Sequence, residues 1–156
     1  MIEDTGPPAA LVDFDDLENQ EKRFKSILTI LANNIPLDPK SIGDAIRLLP
    51  SHIYDAGKIA SELDLLHNTI EFKCEQYFSE QSLMIRSTYT ERGDKLTEKM
   101  ISDILLTDAY YQKMMNWKFR IESLVKDCTA VIRGLNQKNQ SIHEYRKIVE
   151  REFFAS

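Results

Sequence analysis

The sequence predicts an all-α protein: a long antiparallel helical hairpin with coiled-coil-like heptads, preceded by a short N-terminal helical preface. Three observations carry this expectation. All five prolines of the 156-residue chain (Pro7, Pro8, Pro36, Pro39 and Pro50) fall in its first 50 residues, and the other 106 hold only Gly57, Gly93 and Gly134. Proline is excluded from helix interiors and glycine weakens them, whereas sandwiches, barrels and βα units need such turn residues far more often. Apolar residues also recur at alternating steps of four and three through much of the proline-free stretch, which is the spacing of one helix face. Finally, 42% of the residues are hydrophobic, enough at this length to bury a core without metals or disulfides.

Residues 1–14, with Gly6, Pro7, Pro8 and several acids, read as an acidic flexible tail. Residues 15–50 read as short N-terminal helices. The first runs from Asp15 to Asn33, with Leu17, Phe24, Ile27, Leu28 and Leu31 on one face and Asp15 or Asp16 near its positive end. Asn33 to Pro39 breaks the chain. Ser41 then caps a short helix carrying Ile42, Ala45, Ile46, Leu48 and Leu49, and Pro50 ends it.

Residues 51–154 read as the hairpin, with its turn near residues 90–95. Ser51 is the expected cap of the first arm, whose stripe is Ile59, Leu63, Leu66, Ile70, Cys74 and Tyr77, continued more weakly by Met84, Ile85 and Thr88. Gly93 supplies the left-handed residue that ends this arm. Thr97 caps a segment from Glu98 to Leu105, and Thr107 offers a second cap or a kink.

The last arm has the strongest periodicity. Tyr110, Met114, Trp117, Ile121, Leu124, Cys128, Val131, Leu135, Lys138, Ile142, Tyr145 and Val149 alternate steps of four and three without a slip, and only Lys138 is polar. Gly134 and the run Asn136 to Gln140 mark a place where the helix could bend or fray. Met114, Trp117, Ile121, Leu124, Val131 and Leu135 form the expected packing seam, closed within the chain or between copies of it. Folding the hairpin near Gly93 sets Cys74 opposite residue 113, roughly 20 Å from Cys128 at about 1.5 Å per residue, beyond disulfide reach. Both cysteines therefore read as small core residues.

Charge is uneven. Residues 1–20 hold six acids and no Lys or Arg, so the chain's net charge of -5 belongs to its leader, and the remainder sets 20 bases against 19 acids. Residues 44–80 carry three bases and seven acids, whereas residues 113–151 carry nine bases and four acids. One part of the molecule can thus face a polyanion while the whole stays acidic. The leader has neither the basic nor the apolar region of a secretory signal, the longest charge-free run (Ser26 to Leu37) is too short to span a bilayer, and the cysteines have no zinc or redox spacing. The expectation is a reduced cytoplasmic protein without membrane contact.

No catalytic constellation has suitable spacing: there is no phosphate-cradling glycine loop, nucleophile elbow or HExxH, and His52, His67 and His143 are scattered. Neither enzymatic activity nor a metal or cofactor is expected. Two basic surfaces stand out instead. Arg86, Arg92, Lys95 and Lys99 straddle the hairpin tip with Tyr89 among them, a pattern that can hold phosphates while an aromatic ring stacks a base. Glu91, Asp94 and Glu98 share that segment, so a merely wet, charged tip is the competing reading. Lys113, Lys118, Arg120, Lys126, Arg133, Lys138, Arg146, Lys147 and Arg151 on the last arm either track a backbone or flank the seam and select a partner helix.

Beyond these features, the helix running into Leu83-Met84-Ile85-Arg86-Ser87-Thr88-Tyr89, the glycine turn, Lys95-Leu96-Thr97-Glu98-Lys99-Met100 and Thr107-Asp108-Ala109-Tyr110-Tyr111 before a long helix resemble the UvsY-type recombination mediators of tailed phages. The resemblance spans roughly Pro50 to Glu152. It implies a small helical protein forming homo-oligomers, ring-like in the family, that binds single-stranded DNA and helps a RecA-like recombinase replace the single-strand-binding protein. Arg86 matches one of the family's basic DNA contacts, while the companion position is Met84. The alternatives are a coiled-coil adaptor or phage assembly protein that binds partner helices without DNA, and a DNA mimic acting through the acidic leader.

Overall fold

The computed structural model describes residues 12–155. Among them are four α-helices and no strand: α1 (Phe14–Asn33), α2 (Ile42–Arg92), α3 (Glu98–Leu106) and α4 (Ala109–Ala155), with a 3-10 turn, Pro39–Ser41, leading into α2. The all-α helical hairpin expected from the proline distribution is the fold of the chain. The expected acidic tail lies outside the described residues up to Leu11, but its last three residues are ordered by contacts. Val12 is buried and its N–H donates to Tyr110 Oη at 2.8 Å. Asp13 Oδ1 accepts the Asp16 N–H at 3.0 Å and so serves as the cap of α1, with Asp15 and Asp16 in the first turn.

Packing divides the chain into two units. Among the described residues, one comprises residues 12–18 and 65–122, and the other residues 19–64 and 123–155. In the first, the later part of α2 runs antiparallel to the start of α4: Lys118 Nζ lies 3.5 Å from Glu71 Oε1, and the Tyr77 hydroxyl donates to Asp108 Oδ2 at 3.0 Å. Leu17, Ile70, Cys74, Tyr77, Ile101, Leu105, Met114, Trp117 and Ile121 form its buried core. Phe14, Tyr77, Phe78, Tyr110 and Tyr111 pack ring against ring beside it, with centroids 5.1–6.3 Å apart. Lys113 Nζ sits 4.3 Å from the centroid of Phe14.

The second unit brings α1 against the early part of α2, fastened by Arg23 and Glu62 at 2.7 Å, and sets both against α4. Phe24, Leu28, Leu31, Leu49, Ala56, Ile59, Leu63, Leu124, Cys128, Val131, Leu135 and Ile142 are buried there. Lys138, the one polar residue of the seam, is buried as well, and its Nζ donates to the carbonyl oxygen of Asn34. It thereby satisfies a carbonyl just past the C-terminal end of α1, where a cation is favourable. Gly134 does not bend α4, which is continuous from Ala109 to Ala155. Its role is close approach: a Cβ there would stand 2.7 Å from Ile35 Cδ1 and 3.2 Å from Cγ2. Gly134→Leu, a change that improves helix propensity, is therefore expected to destabilise by about 1–3 kcal/mol through overpacking. Adding Ile35→Ala should recover much of the loss in urea unfolding.

Three expectations are corrected. Pro50 does not end a helix, and Ser51 does not start one, because both lie inside α2. The 3-10 turn that precedes α2 is capped by Asp38, whose side chain accepts the Lys40 N–H at 2.9 Å, and Ser41 is part of that turn rather than a cap. Proline forfeits one backbone hydrogen bond, but burial of Leu49, Ala56 and Ile59 on either side of it holds the helix together. The apolar stripe of α2 also stops at Tyr77, since Met84 and Thr88 face solvent and only Ile85 is half-buried.

Candidate nucleic-acid interface

The candidate interface is the connection between α2 and α3. The helix α2 ends at Arg92 because Gly93 adopts a left-handed φ of 77°, open to glycine without steric cost. The Gly93 N–H donates to Thr90 O and the Asp94 N–H to Tyr89 O, both at 3.0 Å, which satisfies the last carbonyls of the helix. As expected, Thr97 then caps α3, its side chain accepting the Met100 N–H at 3.3 Å. The Thr107 N–H donates to Ile104 O at 3.1 Å and closes α3, so Thr107 is its final cap and the kink falls between α3 and α4. Asp108 opens α4 by accepting the Tyr111 N–H at 2.8 Å.

The basic residues named from the sequence lie along this connection. Arg86 forms an ion pair with Glu98 in the first turn of α3, which ties the end of α2 to the start of α3. Arg92 and Lys95 stand on either side of the glycine turn. All four bases are exposed, and Arg92, Lys95 and Lys99 form no ion pair with any described residue. Tyr89 is half-buried, offering part of its ring to solvent. The surface therefore has three uncommitted cations, a fourth already engaged by a carboxylate, and one partly available ring. Such a surface can hold phosphates and stack a base.

Four of the nine bases of the second basic surface are spoken for. Lys113 and Arg120 cover the rings of Phe14 and Trp117, Lys118 pairs with Glu71, and Lys138 is buried against Asn34. These bases flank or enter the packing of their own chain. The contacts of Lys113, Lys118 and Lys138 come from other parts of the chain, which spacing along α4 does not show, whereas Arg120 and Trp117 lie three residues apart within α4.

The seam residues are likewise consumed within the chain. Met114, Trp117 and Ile121 are buried in the first unit, and Leu124, Val131 and Leu135 in the second. Cys74 and Cys128 are free and buried, and burial pushes both thiols above their ordinary range. His52 and His67 are half-buried, each with one ring nitrogen lacking a hydrogen-bond partner. His52 lines a groove of about 460 Å³ between α1 and α2, where Arg23, Lys58, Asp55 and Glu62 balance in charge. Among the described residues, no group of three His, Cys, Asp or Glu side chains could hold a metal ion. No helix among them is long and apolar enough to cross a membrane.

Comparison with known protein families, characterised proteins and solved structures finds no match to this chain, so any functional reading stands on the residues themselves.

Proposed function

We propose that the protein is a non-enzymatic, cytoplasmic, single-stranded-DNA-binding recombination mediator of phage or prophage type. On this reading it acts as a homo-oligomer and helps a RecA-like recombinase displace a single-strand-binding protein. The observation that carries the reading is the cluster of exposed, unpaired Arg92, Lys95 and Lys99 around the glycine turn, with Arg86 and Tyr89 on the adjoining helix. A mediator must release the strand it holds, so a few phosphate contacts per chain, repeated across an oligomer, provide avidity without tight single sites.

The test is binding to a long single-stranded oligonucleotide across a salt series. Arg86, Arg92, Lys95 and Lys99 changed together to Ala should weaken binding about tenfold or more and flatten the salt dependence by up to about three in slope. Because Arg86 already answers Glu98, its single replacement should matter less than that of Arg92, Lys95 or Lys99. Absence of binding at low salt would remove the DNA reading and leave the helical adaptor or assembly protein in its place.

A further inference from the structure

Helix α2 carries a second apolar stripe on the side away from its buried one. Tyr54, Leu65, Phe72 and Leu83 are 72%, 70%, 65% and 68% exposed. Their separations are 11, 7 and 11 residues. At about 100° per residue these steps return to within about 20° of one line along the helix. Ile59, Leu63, Ile70, Cys74 and Tyr77 occupy the opposite side and are buried. The strip between the large side chains is polar, with Ser61, Asn68, Thr69, Ser79 and Gln76, whose amide donates to Glu80 Oε1 at 3.2 Å.

The order 11, 7, 11 reads the same in both directions, with its centre between Asn68 and Thr69. A second α2 laid antiparallel about that centre sets Leu65 against Phe72 of the partner subunit and Tyr54 against the partner's Leu83. The charges match in the same register. Lys58 and Glu80 lie on one flank of the stripe at nearly equal distances from the centre, so Lys58 meets Glu80 of the partner subunit, and the reverse contact repeats it. Lys58 is exposed and forms no ion pair with a described residue. Four large side chains leave roughly 500 Å² of apolar surface per chain in water, and the pair reaches the order of 1,000 Å² at which specific interfaces begin.

We propose that this stripe is where two copies of the chain pair, antiparallel about a two-fold axis at residues 68–69. A palindromic spacing with self-complementary charge fits a second copy, because an unrelated helix has no reason to match both ends of the stripe equally. The contact is isologous and closes at two copies, so a larger ring would need a second, different surface. The proposal stands whether or not the chain binds DNA.

Sedimentation equilibrium on the full chain tests it. The wild-type chain should shift from monomer to dimer with concentration. Phe72→Glu should stay monomeric with unchanged helix content, since the ring lies outside the core. Lys58→Glu and Glu80→Lys should each weaken pairing roughly threefold to tenfold, and the two combined should restore it. A wild-type monomer at all concentrations, a Phe72→Glu chain of unchanged mass, or a double charge variant no better than either single would overturn the proposal. Oligonucleotide binding is read separately, so loss of one reading leaves the other identifiable.

Discussion

Ile121→Ala is expected to lower stability by about 2–5 kcal/mol, with an unfolding midpoint that does not move with protein concentration. Ile121 is fully buried inside its own chain, as are Met114 and Leu135 at other turns of the same stripe. Truncation leaves a cavity that the packed neighbours cannot fill, and the lost contacts are intramolecular. Were the seam a surface between copies, the same change would dissociate an oligomer and leave each chain folded. Urea unfolding at two concentrations a hundredfold apart distinguishes the two outcomes.

Asp108→Ala is expected to cost about 2–4 kcal/mol, because one carboxylate serves two elements. Oδ1 caps α4 through the Tyr111 N–H, and Oδ2 accepts the hydroxyl of buried Tyr77. Alanine would free the first turn of α4 and strand a buried hydroxyl. Tyr77→Phe removes only the second interaction and should cost about 1 kcal/mol. The Tyr77 hydroxyl is pushed up to about 12, first by burial and then by its hydrogen bond to Asp108. Its ordinary value is about 10. The folded chain therefore favours the neutral phenol. This contribution is complete below about pH 10 and is lost as pH rises from there through 12. Unfolding free energies measured between pH 8 and 11 should fall at the alkaline end for the wild-type chain and fall less for Tyr77→Phe.

The sequence foretold these elements unevenly. Of the stripe from Tyr110 to Val149, the stretch from Met114 to Ile142 is buried at every step and its one polar member answers a carbonyl, whereas Tyr145 and Val149 face solvent. The Gly93 turn and the Thr97 cap also stand where residue chemistry placed them, since φ > 0 and an open N–H demand particular side chains locally. Pro50 misled because a local penalty of one hydrogen bond was weighed without the flanking burial that offsets it. Of the bases named for the candidate interface, the state of each was not legible. Nothing in the string Arg86 to Lys99 distinguishes the arginine held by Glu98 from the three cations left open.

By itself, the sequence determined the all-α class, the buried face of α2 as far as Tyr77 and of α4 from Met114 to Ile142, and the turn that separates α2 from α3. Periodicity, proline placement and capping act over a few residues, so they can be read from a few residues. Tertiary structure alone decided that the seam closes within one chain, that four of the nine bases of α4 are spent on rings, a carboxylate and a carbonyl, and that an apolar stripe of α2 remains uncovered. Those outcomes depend on which helices meet, and spacing marks which face is buried but not what covers it.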